Sequence, residues 1–293
     1  MKAASFEYSR AATVDEACAL LSADESARVI AGGQTLVPMM AMRLARPTRL
    51  IDINRIAALS YIRAEGETLA IGATTRQCVV ERDALVAKKV PLLARAVPWI
   101  GHAATRARGT IGGSIANADP AAECALIAIA LDAKLNYRAG GKDGEIAAHD
   151  FFVGPMVTAL PDGALLTAVR FPVWSGKVGV GFHEVNARRS DFAFVSAASQ
   201  VEISNGVCKK ISIAVGAVTD FPVRLQSAEE ALKGGKLDDA AIKTAITDAL
   251  ADIDALADLH ASAEYRKRVA VKLVTRAVAD ARDHALGKMP HAH

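Results

Sequence analysis

Two glycine doublets in apolar surroundings limit this chain more than anything else in it. The first, Ala31-Gly-Gly-Gln-Thr-Leu36, directly follows a strand-like Arg28-Val-Ile-Ala31. The second, Thr110-Ile-Gly-Gly-Ser114, lies in a run dense in small residues, Arg108-Gly-Thr-Ile-Gly-Gly-Ser-Ile-Ala-Asn-Ala-Asp-Pro120. Residues without a Cβ let successive backbone N–H groups approach an anion closely, and Gln34, Thr35 and Ser114 add side-chain donors. Two such loops can grip one pyrophosphate. Taken singly, each doublet also reads as a tight turn at a strand end. Gly140-Gly141 and Gly234-Gly235, set among Arg, Lys and Asp, read only as surface turns.

Around the doublets the apolar spacing predicts alternating helices and strands. A helix is expected over 13–23, where Thr13 and Glu16 have capping-box spacing, then a strand at 28–31, a helix over 36–44 and a strand over 50–53. A hairpin is expected over 60–73, and two helical segments over about 75–98. Pro120, with Asp119 before it as N-cap, should open a helix running to about Leu131. Strands follow at 133–138 and 164–171. Beyond Val173-Trp-Ser-Gly-Lys177 come three β-rich runs, 178–187, 193–203 and 207–218, the last two joined at Ser204-Asn205-Gly206. Helices then fit 228–232, 238–251 and 262–286.

With 293 residues, 52% of them hydrophobic and 23% charged, the chain is globular and large enough for two lobes. Its net charge of +3, from 35 basic and 32 acidic residues without a basic stripe, disfavours nucleic acid as a partner. Cys18, Cys78, Cys124 and Cys208 lie far apart with no Cys-x-x-Cys pair, so no metal site is expected in this chain. No signal peptide and no run of about 20 apolar residues is evident, so a cytoplasmic location is expected. The absence of Gly-x-Gly-x-x-Gly and of a P-loop removes the usual dinucleotide and nucleoside-triphosphate fingerprints.

The stretch Ala31 to Pro47, the strand Leu50-Ile-Asp-Ile53, the run Arg108 to Glu123 and Arg189-Ser-Asp-Phe-Ala193 together resemble the FAD-binding medium subunit of molybdenum hydroxylases. The closest resemblance is to the carbon monoxide dehydrogenase medium-subunit and xanthine dehydrogenase flavoprotein type. It implies an α+β fold: an FAD-binding lobe of two α+β subdomains, as in the vanillyl-alcohol-oxidase (PCMH) type, over residues 1–175 and split near 56. A C-terminal lobe over 176–293 would carry a three-stranded antiparallel sheet and a helical bundle. The resemblance further implies that FAD is held by Ala31, Gly32, Gly33, Gln34, Thr35 and Leu36 from one side and by Gly109, Thr110, Ile111, Gly112, Gly113 and Ser114 from the other. Asn117, Asp119 and Glu123 would continue the second motif. Leu165 or Leu166 would form an apolar wall, His183 would face the flavin, and Phe192 would approach its ring.

Read from the residues alone, Asp119 is a helix cap, Leu165 and Leu166 are sheet core, and Phe192 is core. Asn117 stands where the family frequently has His, and Thr105-Arg-Ala-Arg-Gly109 replaces a commoner Ile-Arg-Asn-Arg-Gly. By resemblance the partners are a small subunit with [2Fe-2S] clusters and a large molybdopterin–molybdenum subunit, in a dimer of heterotrimers. The chemistry would be the cofactor's own, with no acid–base pair or nucleophile in this chain. His260 and His284 read as residues of polar helix faces, and His102 as either a neighbour of the cofactor or a packed or surface histidine. The helix bearing Tyr265, Val269, Leu273 and Arg276 reads as intramolecular core or as a docking face. Two other functions stay open. One is a self-sufficient flavin oxidase of vanillyl-alcohol type, against which stand the only about 115 residues beyond the boundary. The other is a cofactor-free scaffold on the same fold.

Overall fold

A computed structural model describes residues 2–288; His291 and His293, expected in a frayed tail, lie outside the described residues. The chain opens with β1 (Glu7–Arg10), α1 (Val14–Ser22), β2 (Arg28–Ile30), α2 (Leu36–Ala41) and β3 (Arg49–Asp52). These strands form an all-parallel sheet in the order β1-β3-β2. Parallel neighbours need crossovers, and α1 and α2 supply them. α1 begins where its capping box predicts: Thr13 Oγ1 accepts from the Glu16 N–H at 3.1 Å, and Glu16 Oε2 accepts from the Ala12 N–H at 2.7 Å.

A second unit is built on an antiparallel sheet in the order β4-β5-β10-β6-β7. Its strands are β4 (Ile62–Glu65), β5 (Thr68–Gly72), β6 (Lys134–Ala139), β7 (Lys142–Ala147) and β10 (Leu165–Pro172), with a small hairpin of β8 (Phe152–Gly154) and β9 (Val157–Thr158). Between β5 and β6 run α3 (Gln77–Arg82), α4 (Ala84–Lys89), α5 (Pro91–Ala96), α6 (Ala103–Arg108), α7 (Ile111–Asn117) and α8 (Glu123–Ala130); α9 (Ala148–Phe151) follows β7.

Two expectations are corrected here. Residues 75–98 form three short α-helices rather than two. The Asp83 carboxylate stops α3 and caps α4, accepting from the Leu85 and Val86 N–H groups at 2.8 and 2.9 Å, and Pro91 starts a fresh helix as its first residue. The helix expected from Pro120 begins only at Glu123. Asp119 Oδ1 instead accepts from the Ala121 N–H at 2.9 Å in a local turn, and the Pro120 carbonyl accepts from the Ala217 N–H at 2.9 Å.

The third unit holds β11 (Val178–Asn186), β12 (Ala193–Ser204), β13 (Val207–Gly216) and β14 (Val223–Arg224), antiparallel in chain order, then α10 (Gln226–Leu232), α11 (Asp239–Ala251) and α12 (Ala263–Ala285). The three long strands are those expected, and β14 adds a short fourth. Asn205 at φ 51° and Gly206 at φ 77° make the turn between β12 and β13. Strand alternation gives this sheet two different faces. Val180, Phe182, Ala198 and Ala214 join one core with α5 and α8 of the second unit, while Val195, Ala197, Ile213 and Val215 join another with α12. Leu273, Val274, Ala277, Val278 and Ala281 of α12 are buried in that second core, so its apolar stripe is intramolecular.

Candidate cofactor cavity

The three units enclose a cavity of about 1080 Å³, at the upper end of what small-molecule sites occupy. Ala31 to Leu36 line it from the first unit. Gly109, Thr110, Gly112, Gly113, Ser114, Asn117, Asp119, Glu123, Leu165 and Leu166 line it from the second, and Ser190, Asp191 and Phe192 from the third. The separated motifs therefore converge on one space. Leu165 and Leu166 belong to different cores yet both reach the wall, so each is core and lining at once. Phe192 is 70% exposed at the rim, which excludes the core role.

The two doublets reach the cavity differently. In the first, the N–H groups of Gly32, Gly33, Gln34 and Thr35 have no acceptor among the described residues, and Gly33 sits at φ 72°. Successive unbonded N–H groups around a left-handed residue make an anion-binding concavity. In the second, a helix that was not anticipated, α7, absorbs the doublet. Thr110 caps it, its hydroxyl accepting from the Gly113 N–H at 3.0 Å. The Ile111 N–H bonds the Thr75 carbonyl at 3.1 Å, that of Gly112 the Ala73 carbonyl at 2.9 Å, and that of Ser114 the Thr110 carbonyl at 3.1 Å. These groups are occupied, so of the two doublets only the first presents a run of unbonded N–H groups at the cavity, where both were expected to. Glycine is required at 112 for packing: a Cβ there would lie 2.5 Å from Ala73 Cβ.

Among the described residues Arg28 is the one basic side chain in the lining, and its guanidinium is bonded to the Glu25 and Ala27 carbonyls at 2.9 and 2.8 Å. Asp24, Glu25, Asp119, Glu123, Asp162 and Asp191 are acidic lining residues. An anionic ligand is thus met by backbone dipoles rather than by a cluster of cations.

Ile111 and His183 do not line the cavity. The Ile111 side chain is wholly buried in the core behind it. His183 is an odd-numbered residue of β11 and so shares the face of Gly179 and Gly181, which lie against the backbone of α12. Its Nε2 is 2.8 Å from Asp280 Oδ2 on that helix. His102 is exposed and does not line the cavity, and His260 lies in the loop before α12, stacked on Phe194 at 6.0 Å. The exposed His284 accepts from the Val180 N–H at 3.2 Å.

Sequence reasoning missed two things. Gln77 lines the cavity with its Oε1 buried and without a donor; it follows no motif, and only the fold brings it beside Gly109. Glu184, the neighbour of His183, points to the opposite face of the sheet, where Glu123 lies within electrostatic reach. Burial, reinforced by Glu123, pushes the Glu184 carboxyl up to about 8. Burial pushes Glu123 up to about 7, with Asp119 adding to the rise. One oxygen of Glu184 accepts from Asn186 at 3.0 Å, and the other is buried without a partner. Two carboxyl groups with raised pKa values therefore lie within electrostatic reach of each other, Glu123 in the cavity lining and Glu184 outside it, where no such pair was anticipated.

The lining suits a dinucleotide: unbonded N–H groups for a diphosphate, the orphan Gln77 carbonyl for a hydroxyl or N–H donor, and Leu165, Leu166 and Phe192 for a flat ring. These features define a protein that binds a nucleotide cofactor. Residues 4–174 match the family model described as the FAD binding domain in molybdopterin dehydrogenase, and residues 181–281 match the CO dehydrogenase flavoprotein C-terminal domain. The chain belongs to the FAD-binding medium subunits of the molybdenum hydroxylases, and is an oxidoreductase subunit. It is 36% identical to the 6-hydroxypseudooxynicotine dehydrogenase complex subunit alpha of Paenarthrobacter nicotinovorans, over 96% of each chain. It is 35% identical to the carbon monoxide dehydrogenase medium chain of Afipia carboxidovorans, over 96% of this chain and 98% of that one. Among solved structures, Cu,Mo-CO dehydrogenase in its cyanide-inactivated form superposes with a TM-score of 0.94 at 34% identity, covering 97% of this chain and all of that one. No helix among the described residues is long and apolar enough to cross a membrane.

Proposed function

We propose that this chain is the electron-relay subunit of a heterotrimeric molybdenum hydroxylase. It would stand between the [2Fe-2S] clusters of a small subunit and an external acceptor such as NAD⁺, a quinone or oxygen, and a large subunit would hydroxylate the substrate at molybdopterin–molybdenum. Two heterotrimers would pair, and the cytoplasm is the compartment this reading assigns. When bound, FAD supplies the redox chemistry, and the protein supplies position and dielectric. The observation that carries the reading is the convergence of the unbonded N–H groups of 32–35, the apolar wall at 165–166 and Phe192 on one cavity.

In this reading Ala31 to Leu36 hold the diphosphate. Thr110, Ser114, Asn117 and Gln77 offer side-chain polar groups, and Leu165, Leu166 and Phe192 exclude water from the ring. Asp119 and Glu123 set the polarity of the second wall, with Gly109, Gly112 and Gly113 shaping it. The relatives are named for substrates as unlike as 6-hydroxypseudooxynicotine and carbon monoxide, which supports placing substrate choice on another subunit.

The test is purification from the native host. A yellow complex with FAD, iron and molybdenum in fixed ratio, together with a yellow but substrate-inert isolated chain, is expected. Substrate oxidation by the isolated chain would make it a self-sufficient oxidase. A colourless chain that refuses added FAD would make it a scaffold.

A further inference from the structure

The two cradle segments come from different units, yet they touch. A Cβ on Gly32 would lie 2.5 Å from the Arg108 carbonyl oxygen and 2.9 Å from Gly109 Cα. Such close approach of two loops needs something to hold their register, and one side chain outside the cavity lining reaches the second segment directly and the first through Asn54. Arg76 Nη2 donates to Asn54 Oδ1 at 2.6 Å, and its Nη1 donates to the Arg108 carbonyl. Asn54 in turn donates from Nδ2 to the Ala31 carbonyl at 2.8 Å and to Asp52 Oδ1 at 2.7 Å. The tethered carbonyls, those of Ala31 and Arg108, immediately precede Gly32 and Gly109.

The backbone of Arg76 is itself fixed to the second segment. It forms an isolated antiparallel bridge with Thr110, and the next residue's N–H bonds the Gly109 carbonyl at 2.9 Å. The forked head therefore ties a second-unit anchor to a first-unit loop. Burial, with the neighbouring Arg108, lowers the Arg76 pKa. A half-buried guanidinium is costly to keep without bonded partners, so its network is worth retaining only where it is well satisfied. A planar fork makes two such bonds at fixed separation, whereas a lysine ammonium is a point charge without that fork.

We propose that Arg76, through Asn54, is a positioning residue that sets the spacing of the two cofactor-binding segments, so that affinity for FAD depends on a side chain that does not line the cofactor cavity. This rests on the FAD reading above. The experiment is a titration of FAD onto the deflavinated full-length chain and onto its Arg76→Lys, Arg76→Ala and Asn54→Ala variants, followed by flavin fluorescence, with stopped-flow release rates.

Loss of a charge-assisted hydrogen bond predicts weakening of about tenfold or more for each variant, seen mainly in faster release. Lysine should fail to rescue. Arg76→Ala combined with Asn54→Ala should bind little worse than either alone, because both cut one tether. The visible circular dichroism of the FAD that remains bound should keep its wild-type shape, since the ring's surroundings are untouched. Wild-type affinity in Arg76→Lys, or additive losses in the double variant, would overturn the proposal. Should Arg76→Ala fail to fold, the smaller Asn54→Ala change decides: unaltered affinity there also overturns it. A wild-type chain that binds no FAD would instead bring down the cofactor reading itself.

Discussion

Gly32-Gly33 lies in a loop whose N–H groups are free to meet a ligand, whereas Gly112-Gly113 lies in the first turn of a helix whose N–H groups are already bonded within the protein. The same dipeptide leaves backbone donors open in one place and serves packing in the other. At 32 the neighbour that excludes a side chain is the backbone of the opposing loop; at 112 it is Ala73, a residue of its own unit. A glycine doublet in sequence therefore reports close approach, but it does not say whether the approaching body is a phosphate, a carbonyl or a methyl group.

The largest test of this contrast is a pair of substitutions. Gly112→Ala drives a methyl into Ala73 and should cost about 1–3 kcal/mol in urea denaturation, the usual range for overpacking. Gly32→Ala should separate the two segments and weaken FAD binding about tenfold or more, an effect like that of a lost charged hydrogen bond, with a smaller loss of stability. If Gly32→Ala proves the more destabilising of the two, the contrast fails.

Next comes pH. Glu123 and Glu184 titrate at about 7 and about 8 in the folded chain, raised chiefly by burial. Unfolded glutamates titrate at about 4.3. The folded state thus holds more protons between these limits, so stability is greatest below the unfolded value and falls as pH rises through 7 to 8. Calorimetry of the apo-protein should give a lower Tm at pH 8.5 than at pH 5.5. Glu184→Gln should flatten that slope. A Tm that rises over the same interval would place the two carboxyls in water rather than in a buried setting.

A smaller effect is expected at the cap of α7. Thr110→Ala removes the acceptor for the Gly113 N–H and should cost about 1 kcal/mol, with Thr110→Ser restoring most of it. Were α7 not the state of the second doublet, neither change would register in thermal unfolding. Smallest of all is His183→Gln, which should leave FAD affinity unchanged because His183 faces α12. A loss of affinity there would return this residue to the cofactor side of the sheet.

Much of the architecture was legible because it is local. The Thr13 capping box, the Asn205-Gly206 turn and the alternation that builds β11 to β13 depend on neighbours in the chain, and each appears where spacing put it. The predicted motif residues all line the cavity except Ile111 and His183, although much of the lining, such as residues within 21–30 and 158–164, lies outside those motifs. Less was legible where a partner distant in sequence decides the outcome. Asp119 caps no helix because Pro120 is held by Ala217 in the third unit, and helix α7 was hidden by a composition rich in glycine, a poor helix former.

The pair His183 and Glu184 shows where the division falls. Apolar alternation was enough to place both on a strand, and so on opposite faces of a sheet. Which face looks toward the cavity could not follow from periodicity, because both faces of this sheet are buried, one under α12 and one against α5 and α8. Only the packing of the third unit onto the second resolved it, sending the histidine to Asp280 and the glutamate toward Glu123. Period and capping are properties of a chain's own backbone, whereas the environment that sets a carboxyl's pKa or leaves an N–H unbonded is made by residues that only folding brings near.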